Sequence, residues 1–97
     1  MDSARHTFKL QLYVAGDSPN SMRALANLKS ICNTAIPDRY VIDVIDVFRE
    51  PERAMANSVM MTPTLIKLEP SPVRRIVGSL SDRSPVLEAL GLPAGDE

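Results

Sequence analysis

The chain has 97 residues, 44% of them hydrophobic and 24% charged, with a formal net charge of −1. That describes one globular domain over residues 1–97 with no room for a second. The near-neutral balance gives no electrostatic footprint for nucleic acid, and an aromatic content of 4% leaves little for a base-stacking platform. One cysteine and one histidine rule out an internal disulfide, a two-cysteine redox pair and a four-cysteine zinc site, so neither metal nor cofactor is expected. No apolar run reaches membrane-spanning length, and residues 1–7 are polar without the apolar stretch of an export signal, so the expected location is the cytoplasm. With so few aromatics, the core is expected to be aliphatic, built from Leu, Ile, Val and Met.

Phe8, Leu10, Leu12 and Val14 alternate with polar or amphipathic residues, which predicts a half-buried strand. After the turn Ala15-Gly16-Asp17, Ser18 is placed to cap a helix whose first residue is Pro19, because a serine hydroxyl accepts from a free N–H and proline lacks the donor that a first turn leaves unsatisfied. Leu25, Leu28 and Cys32, with Ala24 and Ile31, form one apolar stripe at helical spacing. Cys32 reads as a buried hydrophobe in that stripe, since nothing near it in sequence would lower its pKa. Residues 40–47 are β-branched and almost continuously apolar, which predicts a second strand covered on much of both faces and parallel to the first. Pro51 opens a short second helix over residues 51–57. Two further strands, 63–68 and 73–78, form a hairpin across Glu69-Pro70-Ser71-Pro72. A last helix, capped by Ser81 and carrying Val86, Leu87 and Leu90, ends at Gly91. Residues 1–7 and 93–97 are expected to be flexible tails.

The order βαβαββα is the minimal thioredoxin architecture, an α/β fold that usually carries a cis-proline at the start of its third strand. Pro63 stands there, where an ordinary strand-opening proline is the competing explanation. A thioredoxin-type redox enzyme places its thiolate at the start of the first helix, but here that site reads Asp17-Ser18-Pro19-Asn20. Cys32 lies about 20 Å further along the helix at 1.5 Å per residue, so disulfide exchange at the usual site is excluded. Ser18 together with Pro63 leaves one enzymatic alternative, a glutathione-binding or thiol-linked activity, against the simpler role of Ser18 as a helix cap. Asp43 and Asp46, three positions apart on a strand, point to opposite sides and make no carboxylate pair. Arg74 and Arg75 likewise split between the two faces.

Several motifs in order carry a resemblance. Leu12-Tyr13-Val14-Ala15-Gly16, Pro19-Asn20-Ser21 with Arg23-Ala24-Leu25, Val44-Ile45-Asp46-Val47, Thr62-Pro63-Thr64-Leu65, and residues 72–78 followed by Leu80-Ser81-Asp82-Arg83 are similar to the KaiB family of circadian-clock proteins, over about residues 8–92. The resemblance implies a non-enzymatic regulator that binds the hexameric ATPase KaiC, with KaiA or a clock-output histidine kinase as further members of the system. It also implies two folds of one sequence, a thioredoxin-like monomer and a commonly tetrameric state whose C-terminal half is rearranged to βαββααβ. By matched position, Arg23 and Arg75 are the implied partner contacts, and Gly78 with Ser79 falls in the implied fold-switch region. The chain departs from the family at Met55-Ala56-Asn57-Ser58, where an acidic stretch ending in lysine is usual, and at Ser79, commonly acidic. Pro85 suits the first turn of the last helix and favours the thioredoxin-like form, which is expected to dominate. A self-associating module without an ATPase partner is the third function class.

Overall fold

The structure is a computed structural model that describes residues 7–93. The expected tails lie mostly outside the described residues. β1 (Phe8–Val14) runs parallel to β2 (Tyr40–Asp46) and antiparallel to β3 (Thr64–Glu69), and β3 pairs antiparallel with β4 (Arg74–Val77). The sheet order is therefore β2-β1-β3-β4. With α1 (Pro19–Ala35), α2 (Pro51–Ala56) and α3 (Arg83–Leu90), the chain follows the order βαβαββα read from the sequence.

One face of the sheet carries the main core. Phe8, Leu10, Leu12 and Val14 of β1 and Leu65 of β3 pack against Ala24, Leu28, Ile31 and Cys32 of α1 and Val86, Leu87 and Leu90 of α3. The other face is covered only in part: six-residue α2 lays Ala54 on Tyr13, Ile45 and Ile66.

The first strand meets the expectation on the face of Phe8, Leu10, Leu12 and Val14, which are all buried, whereas the second departs from it. β1 is an inner strand of the sheet, and on its second face Lys9 is exposed and Gln11 half-buried while Tyr13 is fully enclosed. Tyr13 suits that place because its hydroxyl donates to Gln11 Oε1 (3.0 Å) and accepts from Asn57 Nδ2 (2.9 Å), so the buried polar tip is satisfied. β2, expected to be covered on both faces, is an edge strand with Val41 57% and Val44 43% exposed. A continuous apolar run says how much a strand can bury, while its place in the sheet decides how much it does.

The expected methionine contribution to the core is also absent: among the described residues all four methionines are exposed. The last helix starts after Asp82 rather than Ser81, and Asp82 makes no side-chain cap bond. Gly91 ends this helix in the left-handed conformation (φ 80°), which a side chain would strain. Lys67 carries no burial signal in the sequence, yet it is almost wholly buried on the α3 side of β3. Burial, and then the neighbouring Arg74, hold its ammonium below the usual lysine range. Its Nζ lies 3.8 Å from where a Cβ on Gly91 would stand, at the carbonyl end of α3, where the helix dipole favours a cation.

Candidate interaction surface

The C-terminal ends of β1 and β2, the start of α1 and the start of β3 meet at one pole of the sheet. In open α/β sheets this is where ligands and partners gather. Asp46, the last residue of β2, organises it. One carboxylate oxygen accepts from the N–H of Gly16 (3.1 Å) and the N–H of Phe48 (2.9 Å), clamping the β1–α1 turn to the segment after β2. Asp43, facing the other way, pairs with Arg53 at 2.6 Å, so the two aspartates are separate as the spacing requires. Gly16 holds a left-handed φ of 58°, and the Phe48 ring lies 3.7 Å from the position of its missing Cβ. Phe48 is thereby laid over the turn with 74% of its surface exposed.

Ser18 caps α1. Its Oγ accepts from the Ser21 N–H (3.4 Å) and donates to Ser21 Oγ (2.9 Å), which accepts in turn from the Ala15 N–H (3.1 Å). The hydroxyl is committed to the first turn of the helix, the capping role that the sequence favours over a thiolate contact. The Thr62–Pro63 peptide opening β3 is cis. Beside it, Ala15, Val47, Phe48, Val59, Met60, Met61 and Thr62 line a shallow groove of about 200 Å³. Its rim, with Met60 89% and Met61 63% exposed, is apolar and open. Composition cannot reveal this cluster, because Phe48 and Met60-Met61 come from different loops and converge only in the fold.

Arg23 sits near the same pole on the exposed side of α1, where it donates to Asn20 Oδ1 (2.7 Å). Arg75 does not join it. It lies on the α2 side of the sheet, opposite the α1 side, and its guanidinium donates to the carbonyls of Asn57 (2.7 Å) and Ser58 (3.2 Å) at the C-terminal end of α2. A cation there is favoured by the unpaired carbonyls of a helix end. Arg75 therefore supports the α2–β3 loop that carries Met60 and Met61, and truncating it disturbs that loop as well as any contact made by the arginine itself.

Gly78 and Ser79 connect β4 to α3. The Gly78 N–H donates to the Pro63 carbonyl (2.9 Å) and the Ser79 carbonyl accepts from Asn27 Nδ2 of α1 (2.9 Å). The Asn27 bond is the side-chain tie between the first helix and the junction of the C-terminal half. Asn27→Ala is expected to cost about 1 kcal/mol, the net worth of one part-buried hydrogen bond, and to speed amide exchange in α3 more than in α1. Hydrogen exchange followed by mass spectrometry measures both.

Cys32 is fully enclosed, and burial pushes its thiol up to about 11. A neutral, enclosed thiol is a poor nucleophile, so Cys32 is expected to react with a thiol reagent at pH 8 only after unfolding. Between about pH 9, the ordinary value, and pH 11 the unfolded chain releases this proton while the folded chain keeps it. Folded stability therefore falls across that window by this contribution. Cys32→Ala removes the contribution, so its melting temperature relative to the parent should rise between pH 8 and pH 11.

A family model described as KaiB domain matches residues 11–92. The chain belongs to the KaiB family. The protein named circadian clock oscillator protein KaiB from Prochlorococcus marinus strain MIT 9515 is 51% identical over 90 residues, 93% of this chain and 83% of that relative. The protein of the same name from Synechococcus sp. strain RCC307 is 51% identical, with 93% and 82% covered. Among solved structures, the N-terminal domain of SasA from Synechococcus elongatus superimposes with a TM-score of 0.75 at 22% identity, over all of this chain and 95% of that one. Fasciola hepatica thioredoxin gives a TM-score of 0.70 at 16% identity, with 90% and 81% covered. Both likenesses show the fold, which is α/β and thioredoxin-like. In this KaiB-family chain the start of α1, where thioredoxins keep their reactive sulfur, holds the Ser18 cap, and the only thiol is enclosed further along the helix. No helix among the described residues is long and apolar enough to cross a membrane.

Proposed function

We propose that this chain is a non-catalytic regulator that docks on a KaiC-type hexameric ATPase through the pole where α1, the segment after β2 and the α2–β3 loop meet. The observation that carries this reading is the 51% identity to a circadian clock oscillator protein across 93% of the chain. An exposed apolar surface at that pole supports the reading. Phe48, Met60 and Met61 form an open apolar cluster, and Arg23 is an exposed cation in the early turns of α1. Exposed apolar clusters of this kind mark docking surfaces, with aromatic residues supplying anchors. Arg75 acts in this reading by holding the loop. KaiA or a clock-output histidine kinase is a further partner of the same system, and the cytoplasm is its location.

The thioredoxin-like form is the docking-competent one. Exchange with a second, self-associating arrangement would break the Asn27–Ser79 and Gly78–Pro63 bonds, which join the C-terminal half to the rest in this form. Native mass spectrometry of the chain mixed with its cognate KaiC-type ATPase and ATP is the test. The expected result is a ring carrying up to one copy of the chain per subunit. Absence of any complex in every nucleotide state would overturn the proposal, and a chain that only associates with itself would favour the self-association class.

A further inference from the structure

Sulfur is distributed unusually in this molecule. Methionine is normally a core residue, yet Met22, Met55, Met60 and Met61 are 54%, 79%, 89% and 63% exposed, while the one thiol is fully enclosed and held neutral. An oxidant in solvent therefore meets thioethers rather than a thiolate. Thioether oxidation needs no deprotonation, so exposure decides which sulfur reacts. Met60 is the most exposed of the four, it adjoins Met61, and both line the groove beneath Phe48. Met55 has a different setting, on α2 and outside that groove.

We infer that Met60 and Met61 form an oxidation site at which a peroxide-class oxidant reversibly weakens docking at the pole. The inference rests on the docking reading above. In the step itself a sulfur lone pair attacks one peroxide oxygen, the O–O bond breaks and an S–O bond forms. Sulfur loses two electrons, and the second peroxide oxygen leaves as water after taking up a proton. The product sulfoxide is strongly polar, and it stands where an apolar rim must be dried against a partner. A polar group buried without a hydrogen-bond partner is costly, so two sulfoxides are expected to weaken docking at least ten-fold. The fold should be unaffected, because neither side chain belongs to the core.

The test is mild hydrogen peroxide treatment of the full chain, with peptide mass spectrometry to place the added oxygen. Met60 and Met61 should gain oxygen before Met22, with the melting temperature unchanged. Affinity for the KaiC-type ring should fall at least ten-fold and return after treatment with methionine sulfoxide reductases. The double variant Met60→Leu/Met61→Leu should bind and be indifferent to peroxide, whereas Met55→Leu should remain sensitive. Equal binding by the oxidised and untreated chains, or equal loss of binding by the double variant, would overturn the inference. A readout on the chain alone separates this inference from the docking reading. Binding of an apolar fluorescent dye should fall on oxidation of the parent and stay constant in the double variant. Failure of the untreated chain to bind any ring removes the docking reading, whereas an unchanged dye signal removes the oxidation site.

Discussion

Leu12→Ala is expected to destabilise the folded chain by about 3 kcal/mol, within the range of 2–5 that fully buried leucines show. Leu12 has no exposed surface and sits on the central strand, paired with Val44 on one side and Leu65 on the other. Its side chain belongs to the same packed cluster as Ala24 and Leu28 of α1, so truncation removes buried methyl groups and leaves a cavity between a sheet and a helix that cannot easily close on it. A domain of this size holds roughly 5–15 kcal/mol in all, so this single change consumes a large fraction of its stability. Urea denaturation should show a lower midpoint with an unchanged slope. Val41→Ala, on the exposed edge strand, should stay within about 0.5 kcal/mol of the parent. An equal loss at the two positions would mean that β1 is not the central strand.

The second large effect is on association. Phe48→Ala is expected to weaken binding to a KaiC-type ring by about 30-fold or more, the scale of an aromatic anchor at an interface centre. The ring contributes little to the core, since it is 74% exposed and its contact is with the Gly16 turn. Its melting temperature should therefore change little, which separates lost contact from lost fold. The backbone N–H of Phe48 keeps its bond to Asp46 in the variant, so the pole itself stays assembled. Arg75→Ala offers the opposite pattern. It should weaken binding and also loosen the α2–β3 loop, because the guanidinium holds the carbonyls of Asn57 and Ser58.

Local chemistry made much of this fold legible. The alternation of Phe8, Leu10, Leu12 and Val14 gave β1 its bounds, and Ser18-Pro19 placed the start of α1. Both signals act within a few residues, where backbone geometry and hydrogen bonding leave few alternatives. Cys32 was readable as core for the same reason, since helical spacing fixes its face. Properties set by position in the sheet were not readable. Strand order decides that Tyr13 is enclosed and Val41 exposed, and neither hydropathy nor spacing encodes that order. The interaction surface lay in the same blind region. Phe48, Met60 and Met61 are unremarkable in sequence, and they meet at one rim only in the fold, where Asp46 holds Phe48 to the Gly16 turn and Arg75 holds the start of the loop with Met60 and Met61. Arg75 was legible as a residue of interest through family resemblance, but its hold on the end of α2 depends on β4 lying beside β3, which is known only from the fold.

The most direct test of docking through this pole is a nuclear magnetic resonance titration of the isotopically labelled chain with its KaiC-type ATPase. The expected result is line broadening that begins at the amides of Ala15, Gly16, Phe48, Met60, Met61 and Thr62, while amides in the last turns of α1 keep their intensity longest. Uniformly unchanged spectra at saturating ATPase, or broadening confined to the end of the sheet away from the pole, would contradict it.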